Sequence, residues 1–199
     1  MKTGTAILLI LVLELLLVLV SAGLHGNSIE ALQIVTRYSG RLSLILFGIL
    51  FIGNHQHERT LQSALSSDYF LVFAVAHGIH LIELLSYVYL AGVELVPYRV
   101  AGGFVAYSLV FAMPWIQMKH RAGHIMTKNF IRISWLYGYY VWLIFFMTYL
   151  GRLKGQFQNA TPEIEHKIGM ALVVILFIWK TISLLLKKQS PDADRPSPT

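Results

Sequence analysis

Read for runs of apolar residues, the chain divides into six long hydrophobic segments separated by short polar ones. A helix needs about 20 mostly apolar residues to cross a bilayer. The first candidate covers residues 5–22 and is interrupted only by Glu14. The second, 42–53, is short, and lengthens only if the weakly polar stretch 34–41 belongs to it. The third, 69–93, is long enough to tilt. The fourth is 98–117, with Pro114 near its end, and the fifth is 130–151. The sixth, 168–186, contains Lys180, a side chain long enough to snorkel. The pattern predicts an all-α polytopic integral membrane helical bundle of about six transmembrane helices over residues 1–188. A tail over 189–199, rich in Pro, Asp and Ser, is expected to be disordered. The first segment also has the marks of a signal peptide: Lys2, an apolar core and the small residues Val20-Ser21-Ala22. Its length and its glutamate argue for a retained span.

Composition agrees. Hydrophobic residues make up 56% of the chain and charged residues 13%, against about 25% charged in a soluble domain. The net charge of +6 does not point to nucleic acid, because the cations sit in turns between apolar runs and form no stripe. The expected partner is the lipid bilayer. With six spans, both termini share a side that carries nine Lys and Arg residues against six on the other. The excess of Lys and Arg on the cytoplasmic side then predicts cytoplasmic termini. The absence of cysteine excludes disulfides, thiolate metal sites and a cysteine nucleophile in this chain. There is no phosphate-binding glycine loop, GxGxxG, GxSxG or HExxH, so no flavin or nicotinamide site is expected.

The third segment carries the most chemistry. His77, His80, Glu83 and Tyr87 are spaced i, i+3, i+6 and i+10, which draws one polar stripe along a helix. Ionisable groups within a bilayer are costly and face the bundle interior. Three readings suit the stripe: a haem or metal ligand at His77 or His80, a proton relay, and a polar seam that bonds neighbouring helices. At 1.5 Å per residue, His77 lies roughly 10 Å into the span and His80 near the midplane. Gly78 between them leaves space for a flat ligand or a close helix. Glu14 is a candidate for a proton path, and equally for a packing hydrogen bond. His120 and His124, spaced i, i+4 in a basic turn, suit a zinc ion or a haem propionate, with a solvated turn as the plainer reading. His55 and His57 sit in another turn, and His25 and His166 read as loop residues. The aromatic fifth segment reads as a packing face, or as the wall of a porphyrin or quinone site.

Three stretches resemble a known family. Thr36-Arg37-Tyr38-Ser39-Gly40-Arg41-Leu42-Ser43-Leu44-Ile45-Leu46-Phe47 resembles the arginine-flanked start of a second helix. Phe73-Ala74-Val75-Ala76-His77-Gly78-Ile79-His80-Leu81 resembles a histidine helix. Tyr139-Tyr140-Val141-Trp142, running on to Tyr149-Leu150-Gly151-Arg152, resembles a Tyr-Tyr-x-Trp helix with a closing arginine. Together they resemble the small bacterial ferric-reductase-like transmembrane domain family, which includes the haem-binding membrane subunit of the methionine sulfoxide reductase system. The resemblance implies a bacterial inner (plasma) membrane protein that holds haem b between facing histidines. It would carry electrons for an oxidoreductase, drawing on quinol or on a separate redox partner protein. Aligned on Tyr139–Trp142, the family's second axial histidine falls on Ser134. The resemblance then leaves three outcomes: haem held by His77 or His80 alone, His124 folding in as second ligand, or a scaffold without haem. Two other functions stand beside electron transfer. One is a membrane scaffold that recruits a partner through its basic turn. The other is a small transporter or proton conductor using the His/Glu stripe.

Overall fold

The computed structural model describes residues 2–26, 28–53, 68–94, 96–156 and 163–189. All of its regular structure is helical: α1 (Thr3–His25), α2 (Ile29–Gly53), α3 (Tyr69–Leu90), α4 (Pro97–Arg121), α5 (Thr127–Leu153) and α6 (Ile164–Gln189). All six are long and apolar enough to cross a membrane. Gln189, taken as the start of the tail, ends α6, while residues 190–199 and the turn bearing His55 and His57 lie outside the described residues.

The helix ends follow local rules. Ser28 caps α2 by accepting from the Ala31 N–H at 3.2 Å. Pro97 opens α4, where a missing N–H costs nothing. Gly123 and Gly155 close α4 and α5 with φ of 77° and 62°, a left-handed conformation that a side chain disfavours.

The largest departure from the sequence pattern is in α2. It begins at Ile29 and runs unbroken through the polar stretch 34–41. Thr36 returns its hydroxyl to the Leu32 carbonyl at 2.8 Å, so it does not break the helix. Arg37 and Arg41 reach the glutamates at the start of α6. Polar residues that find partners inside a bundle do not end a span.

Helix α2 is the centre of the molecule. It packs most extensively on α3 and also touches α1, α6 and α5, while α4 bridges α3 and α5. Helices α2 and α3 run antiparallel, with Phe47 against Phe73 and Gly40 against His80. The end of the bundle at which α3 begins has a dry core: Phe47, Phe51, Phe70, Phe73 and Tyr137 are essentially inaccessible. Their rings meet at centroid distances of 5.3–5.8 Å. Lys180 of α6 lies against this core and donates to the Phe51 carbonyl at 2.6 Å. At the same end, Arg121 pairs with Asp68, which also accepts from Thr3 at 2.6 Å. These contacts tie α4, α3 and α1 together.

Candidate functional site

The polar groups gather in the other half of the bundle, where α1, α2 and α3 meet. On α2, Thr36, Ser39 and Ser43 are buried at i, i+3 and i+7. This stripe faces the helices that carry glutamates. Ser39 donates its hydroxyl to Oε1 of Glu14 on α1, at 2.8 Å. The carboxyl of Glu83, on α3, faces the same hydroxyl and the Glu14 carboxyl. Glu14 is 4% exposed and Glu83 9%. The Oε2 atom of each is buried with no hydrogen-bond partner among the described residues, and no ion pair reaches either. Two carboxyls from different helices therefore converge on one serine.

The histidines stand beside this cluster. His80 packs its ring against Gly40, where a Cβ would approach it to 3.0 Å, and hydrogen-bonds the backbone of Thr36. The His77 ring is stacked between Phe73 and Tyr107, at centroid distances of 5.2 and 4.6 Å, with both interplanar angles 17°. The two imidazoles are 5.6 Å apart. Each leaves Nδ1 buried without a partner among the described residues. The space that Gly78 leaves is filled by the Phe111 ring, 3.3 Å from where a Cβ would sit. Tyr87, the last member of the stripe, is half-buried.

The other candidates are placed elsewhere. Phe70 on α3 meets Phe130 and Tyr137 on α5, and these bracket buried Ser134. His77 instead meets Phe145. Ser134 thus stands at the level of Phe70, seven residues or about 10 Å from His77 along the axis. Facing histidines at positions 77 and 134 would not share a haem. His124 is exposed in the turn between α4 and α5, at the end of the bundle that holds Asp68. It lies more than two helical turns from His77. His120 stacks on Phe130 at 4.3 Å and bonds the Ile125 carbonyl at 2.9 Å, which shapes that turn. Among the described residues, no three His, Asp or Glu side chains gather as a metal centre.

Two residues read as loops are helical. His25 ends α1 and pairs with Glu30 at 3.4 Å. His166 lies in the first turn of α6 and is 2% exposed. Its Nδ1 accepts the Glu163 N–H at 3.1 Å, so its Nε2 carries the ring proton. The 3.4 Å approach of Arg152 Nη1 to that Nε2 is then a contact between two donors. Around it sits a charged rim. Arg37 pairs with Glu163 at 3.2 Å, Arg41 pairs with Glu165 and lies 4.4 Å over the Tyr38 ring, and Arg152 is electrostatically coupled to both arginines and to His80.

Ser39, Arg37, Arg41 and Arg152 entered the sequence reading as parts of the resemblance, with no role of their own. The signal for Ser39 was the Thr36–Ser39–Ser43 spacing within a segment of membrane length. No family model, curated protein or solved structure matches the chain.

Proposed function

We propose that this is a proton-handling membrane protein that works through Glu83, Ser39 and Glu14. The observation that carries the reading is the convergence of both carboxyls on the Ser39 hydroxyl. A hydroxyl has one proton to give. Ser39 gives it to Glu14, so it bonds Glu83 only by accepting from the protonated acid. The arrangement is complete with one proton on the pair. Two bare carboxylates there would repel in a medium of low dielectric. Passing the Ser39 proton to Glu14 and taking the Glu83 proton in return moves one charge across the cluster and leaves the serine unchanged. Hydrogen-bonded chains of this kind are the usual intramembrane proton paths.

Ser21, one heptad from Glu14 on α1, lines a cleft at the charged rim, and the relay lies on that side of the phenylalanine core. The test is acidification of proteoliposomes that hold an interior pH dye, under an imposed gradient. Wild-type protein is expected to acidify them faster than protein-free vesicles do, and Ser39→Ala more slowly than wild type. Equal rates for wild type and Ser39→Ala would remove the relay.

One observation favours a second reading. The orphan Nδ1 atoms of His77 and His80 suit axial ligation of haem b from one side, although Ser134 supplies no facing ligand. Bound there, haem would supply one-electron chemistry. Oxidised and dithionite-reduced spectra of the purified protein decide it. A Soret band near one haem per chain, lost in His77→Ala or His80→Ala, would support haem. A colourless protein that takes up no added haemin would exclude it.

A further inference from the structure

Helices α1 and α6 both pack on α2, and a cleft of about 460 Å³ lies where residues of all three meet. Its two walls differ in kind. Leu17, Val20 and Leu24 of α1 form an apolar wall, and Val20 and Leu24 belong to the exposed outer surface of that helix. Arg37 and Arg41 of α2, with Glu163 and Glu165 beside α6, form the other.

The second wall balances in itself, its two arginines answering its two glutamates. Arg152, behind that wall and outside the cleft lining, adds a third cation coupled to both arginines and to Glu163, and no carboxylate lies within ion-pair distance of it among the described residues. Its neighbour Nε2 of His166 is a donor. The rim thus carries one positive charge more than its carboxylates neutralise, at the level of Gly40 and His80, with Glu163 and Glu165 themselves part-exposed. Guanidinium forks bind carboxylates and phosphates in a fixed planar geometry.

We infer that this cleft binds an anionic amphiphile, its singly charged head on Arg37 and Arg41 and its hydrocarbon chain along Leu17, Val20 and Leu24. Glu163 and Glu165 act as the internal counter-ions that the head displaces. The chain leaves sideways over α1 into lipid, so a headgroup without a chain would lose half of the contact. The inference does not depend on the carboxyl relay.

The test is native mass spectrometry of the full chain in detergent. The additives are a dioleoyl phosphatidylglycerol, oleate, a dioleoyl phosphatidylcholine and inorganic phosphate. Phosphatidylglycerol or oleate should be retained at least about tenfold more than phosphatidylcholine, and phosphate hardly at all. Which of the two anions is kept better distinguishes a membrane lipid from a free fatty acid. Arg41→Gln should weaken retention about ten- to hundredfold, the loss of one hydrogen bond between charged groups. Glu165→Gln, which frees Arg41 of its competitor, should strengthen it. A misfolded variant cannot produce that gain. Equal retention of phosphatidylcholine, full binding of phosphate alone, or a Glu165→Gln variant that binds no better than wild type would each overturn the assignment.

Discussion

Glu83→Gln is expected to bring proton entry into proteoliposomes down to the rate of protein-free vesicles while leaving the bundle folded. The amide has the shape of the acid and presents an N–H donor towards Ser39, but it has no acid proton to exchange. The stability change should stay within about 1 kcal/mol, because no other residue loses a hydrogen-bond partner. Infrared spectra give an independent readout. The wild type should show the C=O stretch of a buried protonated carboxyl at neutral pH, and the variant should lose it. Retention of that band together with normal flux would mean that Glu83 is not the proton carrier. Glu14→Gln is the companion variant. It should also block flux, since its side-chain carbonyl accepts from Ser39 but cannot keep the proton.

The second large effect concerns Lys180. Lys180 supplies two of the last carbonyls of α2, Phe51 at 2.6 Å and Ile52 at 3.4 Å, at a helix end where carbonyls run short of intrahelical donors. The Phe51 ring, 5.3 Å from the ammonium, adds a cation–π contact. Lys180→Met keeps the apolar stem and removes a charged donor from a buried carbonyl. The cost should be about 2–3 kcal/mol, enough to lower the melting temperature in detergent by about 4–10 °C. Lys180→Arg should recover part of it. A methionine variant as stable as the wild type would mean that desolvation of the ammonium cancels the cap.

Much of the fold was legible because membrane spans announce themselves by length and hydropathy, and all six were found. The start of α2 was not. Thr36, Arg37, Ser39 and Arg41 lower the hydropathy of that stretch, and only their tertiary partners reveal that they face inward. For the same reason His166 read as a loop residue: its burial depends on Arg152 and Glu163 from outside its own helix. The site was half legible. Periodicity put His77, His80 and Glu83 on one face of α3, and Glu14 stood out as the one charge interrupting the first apolar run. It could not say that the faces of α1 and α3 meet across Ser39, because a stripe on one helix carries no information about its neighbour. Register between helices was equally hidden. Counting residues from span ends gave Ser134 and His77 similar depths, whereas α5 starts more than a turn below α3, as the contact of Phe70 with Phe130 and Tyr137 makes plain.

The hydrogen bond from Ser39 to Glu14 has a consequence for biogenesis. Its two ends are 25 residues apart in the chain, so α1 enters the translocon before its partner has been made. A central acidic side chain costs on the order of 3 kcal/mol at insertion. Even with the glutamate counted, an 18-residue window of α1 keeps a mean hydropathy of 2.9, which offsets that cost and lets the helix partition alone. The serine then docks as α2 follows, and the first hairpin is latched before the ribosome has delivered the third helix. Cleavage after Ala22 would discard one half of that latch and one wall of the cleft together.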